Sequence, residues 1–324
     1  MDEKLWNALQ VRFVKLRFTI SFPEDSILPK DKVSAIRGGM GEMLLRVNCV
    51  RDRQCGECDF ETECVVQKIM YSKFERKPDF VTTGESIGYV LECENYQENF
   101  SAHDKLNFYL ILFGKTIVHF SQLYQALTLL GEEGLGKYHA KFQIVDIRNM
   151  EGMRVLEGNM INMNKYVVHM LYDYLMFRIM QIGTISVKTD VLMIFDTPLT
   201  LKYRAEFLRE FQTDALLTAI RRRIFMLDCF EGIESDILEQ GDGECMLKIQ
   251  SQECHLASIS RYSTRKNEKM ILRGLKGHAL LEGLTEDLLM LLLVGELIHI
   301  GKNTSFGFGR YHLKFFDESD NGHT

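Results

Sequence analysis

The residues best suited to chemistry gather near the C-terminal end of this chain, in Gly295–Tyr311, GELIHIGKNTSFGFGRY. Gly301, Gly307 and Gly309 let backbone amides come close to a ligand, and Lys302 and Arg310 beside them carry the charge that a phosphate attracts. His299 can exchange a proton near neutral pH, and Lys302 can neutralise a developing phosphorane. Two plainer alternatives stand beside this reading: a glycine-rich turn that only joins two elements, and a half-buried histidine, flanked by Ile298 and Ile300, that orients the loop. A Walker A motif is excluded. It needs G-x-x-x-x-G-K-[ST] between a strand and a helix, whereas here Asn303 replaces the hydroxyl residue and the loop opens a strand.

A second group is cysteine-rich. Cys49, Cys55, Cys58 and Cys64 have the spacing C-x5-C-x2-C-x5-C. Four soft thiolates so close, in a loop with little apolar material, suit a structural tetrahedral zinc. Unrelated thiols, an oxidised pair and an iron–sulfur cluster are the alternatives. A third group is basic: Arg261, Arg265, Lys266, Lys269, Arg273 and Lys276, opposed only by Glu268, with Tyr262 interleaved. Backbone phosphates and stacked bases are the partners such a surface serves, and a solvated hairpin tip is the alternative. The Arg221-Arg222-Arg223 run reads as a solvated helix face. No Ser/His/Asp or paired-carboxylate arrangement stands out.

The elements that must position these groups are legible in the patterning. Val11–Phe22 alternates as a strand. A helix follows Asp31, with Val33, Ile36, Met40, Leu44 and Val47 stepping by three and four. It carries Gly38, Gly39 and Gly41, each unfavourable by roughly 1 kcal/mol against Ala, so something must approach that face closely or the helix is irregular. Ser86–Glu94 and Lys105–Phe113 read as strands, Thr116–Leu130 as a helix and Lys141–Arg148 as a strand. After a Met-rich connector over 152–183, the order recurs: strand Thr184–Phe195, helix Arg209–Asp228, strands Glu244–Tyr262 and Met270–Leu281, helix Leu284–Ile298 and strand Phe306–Phe316. Two βαββαβ halves imply an α+β chain of two tandem ferredoxin-like domains, each an antiparallel sheet with helices on one face. The domains are expected at 1–151, with the cysteine-rich insertion at 49–64, and at 184–324.

Composition sets the bounds. With 324 residues, 46% hydrophobic and 26% charged, the chain can bury two ordinary cores. A net charge of −6 argues against a surface coated for nucleic acid but leaves room for a local basic groove. The acidic start MDEKLWNALQ shows no signal peptide, and Tyr166–Ile182 is broken by His169, Asp173 and Arg178, so no membrane span is expected and the cytoplasm is the default.

Taken together, Asp196–Phe230, Arg261–Gly283 and the glycine-rich Gly295–Tyr311 resemble the CRISPR-associated endoribonucleases of the RAMP superfamily that process precursor CRISPR RNA. Arg37–Tyr71, glycines followed by spaced cysteines, resembles a subset of them. The resemblance covers most of the chain outside 152–183. It implies recognition of CRISPR repeat RNA, not DNA, with other CRISPR-associated effector subunits as further partners. It also implies cleavage without a catalytic cofactor, by attack of a ribose 2′-OH on its own 3′-phosphate to leave a 2′,3′-cyclic phosphate and a 5′-OH. Such chemistry needs a base, an acid and positive charge. Relatives often use a histidine in or near the first helix, but Lys30–Asn48 has none and offers Lys30, Lys32, Arg37 and Arg46. His299, Lys302 and Arg37 are therefore the catalytic candidates. Gly301, Asn303, Gly307, Gly309 and Arg310 join Arg261, Tyr262, Arg265, Lys266, Lys269 and Arg273 as RNA-binding candidates. A competing reading is a non-catalytic subunit that only holds guide RNA. A more distant one is an RNA-recognition motif, since Phe306-Gly307-Phe308 is similar to its aromatic strand signature, though that belongs on a third strand and here falls on a fourth.

Overall fold

A computed structural model describes residues 3–51, 53, 55–72, 74, 77–81, 86–183, 190–239, 247–263 and 268–316. The first strand, β1 (Arg12–Ser21), alternates as its sequence does: Val14, Leu16, Phe18 and Ile20 are fully buried. Helix α1 (Lys32–Asn48) buries Ile36, Met40 and Leu44 on the seam that the spacing marks. At Gly39 a side chain would run into Leu130, so its glycine lets a neighbouring helix close on α1. A short helix α2 (Val65–Met70) is followed by β2 (Tyr89–Glu92), β3 (Lys105–Phe113), α3 (Phe120–Glu133) and β4 (Gln143–Arg148). The antiparallel sheet runs β2-β3-β1-β4, with α1 and α3 packed together on one face.

The second half repeats this plan. Its elements are β5 (Val191–Leu199), α5 (Thr213–Glu231), β6 (Lys248–Ser263), β7 (Glu268–Glu282), α6 (Glu286–Ile298) and β8 (Tyr311–Phe315). The sheet order β6-β7-β5-β8 reproduces that of the first half, so the chain holds two ferredoxin-like domains. The parts of the expected strands at 184–189 and 244–246 lie outside the described residues. β6 and β7 form one long hairpin paired from Lys248–Glu282 to Ser263–Glu268.

The stretch read as a connector is more structured than its composition suggests. His169–Met170 pairs with β1, and α4 (Leu171–Ile182) buries Leu171 and Leu175. Arg178 of α4 forms a forked pair with Glu296 of α6, at 2.7 and 3.1 Å. One apolar cluster fills the first domain. The other spans both, joining Phe13, Val90, Ile111 and Phe113 to Ile220, Val294 and Leu297. Among the described residues no helix is long and apolar enough to cross a membrane.

Phe18 is fully buried and stacks on Phe108, ring centroids 5.1 Å apart. Phe18→Ala is expected to lower the unfolding free energy by about 3–5 kcal/mol, read from urea denaturation.

Candidate functional site

Helix α6 starts on Thr285, whose hydroxyl accepts from the Leu288 amide at 3.3 Å, and it ends at His299, which takes a positive φ of 55°. His299 is fully buried. Its Nδ1 lies 3.1 Å from the Phe308 carbonyl and its Nε2 3.0 Å from a Glu92 carboxylate oxygen, while Lys15 Nζ sits 3.1 Å from the other oxygen. Both partners of the ring are acceptors. A neutral imidazole can donate to only one of them, an imidazolium to both. Burial pushes the His299 pKa below its ordinary value, against the pull of the carboxylate. Burial would raise the Glu92 pKa, but Lys15, His299 and Arg310 together hold it well below the usual carboxylate range. This placement corrects the expectation of His299 as a catalytic acid or base: an enclosed ring with both nitrogens engaged meets no ribose hydroxyl. It links the two domains instead.

The glycine loop is likewise spent on its own folding. The Gly307 amide donates to Thr304 at 2.8 Å and the Gly309 amide to Pro198 at 3.0 Å, so neither is free to cradle a phosphate. At Gly309, with φ 69°, a side chain would collide with the Ile300 carbonyl. Gly301 packs on the Thr200 carbonyl, and Asn303, in the left-handed region, accepts from the Phe306 amide at 2.9 Å. Lys302 bridges Thr200 through its backbone and stays partly exposed. Arg310 pairs with Glu94 and lies 3.8 Å from Asp196.

Two of the expected cations do meet. The Arg37 guanidinium lies 4.0 Å and the Arg261 guanidinium 4.3 Å from the centroid of the Phe306 ring. Arg37 also donates to Ser305 Oγ at 3.3 Å and Ser86 Oγ at 3.1 Å. Arg261 Nε is buried and has no hydrogen-bond partner among the described residues. Burial first, and the like charge of Arg37 second, lower the Arg261 pKa. Lys269 and Arg273 are exposed on the hairpin, while Arg265, Lys266 and the Tyr262 side chain lie outside the described residues.

Phe306 also lines a cleft of about 880 Å³ between the start of α1, the segment after β2 and the open face of the second sheet. Lys32 at its floor is structural: its ammonium donates to the Asn95 and Gln97 carbonyls at 2.9 and 2.6 Å. Patterning did not single out His312, which also lines the cleft. It stands on β8 opposite in direction to the buried Tyr311 and Leu313, and its Nδ1 lies 3.0 Å from Asp196.

Of two further expectations, the zinc site stays unconfirmed and the solvated arginine face is corrected. Cys49, Cys55, Cys58 and Cys64 all line one cavity of about 650 Å³. Yet among the described residues no three His, Cys, Asp or Glu side chains converge as metal ligands would, so the geometry does not support the zinc site. Arg223, read as part of a solvated face, is 2% exposed and donates to the Ile298 carbonyl at 3.1 Å and the Ile87 carbonyl at 3.2 Å, one in each half of the chain.

The fold is thus a tandem of ferredoxin-like domains with a cleft between them. Residues 193–311 match the family model of CRISPR-associated endoribonuclease Cas6, and residues 9–169 match the AF_1859_N family, described as an N-terminal domain. The second half of the chain is thus similar to the Cas6 endoribonuclease family over residues 193–311. An uncharacterized protein of Archaeoglobus fulgidus is 21% identical over 316 residues, covering 95% of this chain and 99% of that one. In fold, the chain is similar to Thermus thermophilus Cas6, with a TM-score of 0.51 at 10% identity over 94% of this chain and 99% of that one. It is also similar to a partial Cas6-RT-Cas1–Cas2 complex, with a TM-score of 0.57 at 11% identity over 95% of this chain. The chain spans about half of that longer polypeptide, 47%.

The domain link makes a prediction about acid. A carboxylate with a lowered folded pKa contributes stability that is complete above its unfolded value, ordinarily 4.5, and is lost as pH falls below it. Glu92→Gln is expected to cost about 3–5 kcal/mol at neutral pH and to flatten the loss of stability on acidification, measured by denaturant unfolding across pH.

Proposed function

We propose that the chain is a sequence-specific endoribonuclease that cuts precursor CRISPR RNA within its repeats. The reaction is attack of a 2′-OH on the adjacent phosphate, giving 2′,3′-cyclic phosphate and 5′-OH ends without a metal. The observation that carries this reading is the meeting of Arg37 and Arg261 on Phe306, at the edge of a cleft walled by both domains. Two guanidiniums from opposite halves of the chain, beside an aromatic ring, offer an RNA backbone charge and a base a surface to stack on. Lys276 stands on the same face of the hairpin as Arg261 and lines the cleft, whereas Lys269 and Arg273, paired with Tyr262 and Ser258, stand on the opposite face. The family match supplies the substrate class: Cas6 proteins are CRISPR-associated endoribonucleases.

The test is incubation of the purified protein with its host's repeat RNA in EDTA, followed by mapping of the product ends. Cleavage with cyclic phosphate ends is expected. Binding without cleavage would make the chain an RNA-holding subunit, and neither binding nor cleavage would overturn the reading. Arg37→Ala and Arg261→Ala are each expected to weaken RNA binding by about tenfold and to reduce the salt dependence of binding by about one counterion.

A further inference from the structure

The proposed reaction needs a base that solvent and substrate can reach, and His299 is enclosed. Resting on that reading, we propose that His312, oriented by Asp196, is the general base, with Lys276 supplying the proton to the leaving oxygen. All three side chains line the cleft.

The geometry is that of an oriented histidine. His312 Nδ1 lies 3.0 and 3.1 Å from the two Asp196 oxygens, which places the ring proton on Nδ1. Nε2, left with its lone pair, makes no hydrogen bond among the described residues. The His312 side chain is 48% exposed and that of Asp196 26%, so the pair is open to the cleft. Neighbouring strands supply the charges around it. Arg310 Nε is 3.8 Å from Asp196, Lys314 follows on β8, and Lys276 stands on β7, next to β5, its ammonium 5.8 Å from the Tyr96 ring centroid. His255 lines the same cleft from the edge strand β6, but it makes no hydrogen bond among the described residues to fix its ring.

The step balances within the site. The 2′-oxygen bonds to phosphorus as its proton passes to His312 Nε2. The bond from phosphorus to the 5′-oxygen breaks, and that oxygen takes a proton from the Lys276 ammonium. Both side chains recover their starting states from solvent. Asp196 touches no reacting atom; it is a positioning residue that holds the tautomer and stabilises the imidazolium.

The deciding experiment measures single-turnover cleavage and, separately, binding of repeat RNA by wild type, His312→Ala, His312→Gln, Asp196→Asn and Asp196→Glu, with thermal melting as a check on folding. The expected result is a loss of about 100-fold or more in rate for both His312 variants with RNA affinity unchanged. Asp196→Asn is expected to lose less, in the rate alone and with RNA affinity and melting unchanged, and Asp196→Glu to restore part of that rate, a split that a purely structural role does not produce. Rates within a few-fold of wild type for folded His312→Ala would overturn the proposal and leave the ribonuclease reading standing, as would loss on His255→Ala alone. Wild-type protein that binds but does not cut would overturn both.

Discussion

A carboxylate enclosed between two domains has to be answered by charge and hydrogen bonds, or it would unfold what encloses it. Glu92 is that group. Lys15 answers it from its own sheet, and His299 answers it from the end of α6 in the other domain. Removing any one partner leaves the others uncompensated in a low-dielectric setting, which is why the three act together. Arg223 works beside them by joining carbonyls of both halves, and the shared apolar cluster fills the rest of the joint. The cleft has fixed walls because this joint is closed.

That joint also explains the glycines. Gly307 packs on the Leu91 carbonyl and on Val33, and Gly309 on Ile300, so the loop lies flat against the first domain and its own helix end. A loop that resembles a phosphate cradle in composition is here a seam in which backbone meets backbone. What it presents is Phe306, on whose ring Arg37 and Arg261 gather.

Much of the fold was legible because it is local. The alternation in β1, the three-and-four stepping in α1 and the recurrence of element order are properties of neighbours in sequence, and both sheets follow them. What could not be read depends on distant partners. His299 looked reactive because Glu92, 207 residues away, is invisible to any window around it. Arg223 looked like surface because a helical wheel does not show that α5 has a second domain behind it. The last strand was read from Phe306 but starts at Tyr311, since the turn at Thr304–Phe306 is set by contacts with β2 and α1 rather than by alternation. His312 is an intermediate case: its outward position follows from the buried Tyr311 and Leu313 beside it, but its pairing with Asp196 needed the strand order.

The Phe306 ring carries two like charges that have no acidic partner among the described residues. In the free protein this is a standing repulsion, which adds to the larger effect of burial in lowering the Arg261 pKa. A polyanion laid across the ring turns that repulsion into attraction from both halves at once. The strand of nucleic acid would thereby act as a counterion that sews the two domains together, and the tightest grip would belong to whatever segment stays on the arginines after the chain is cut.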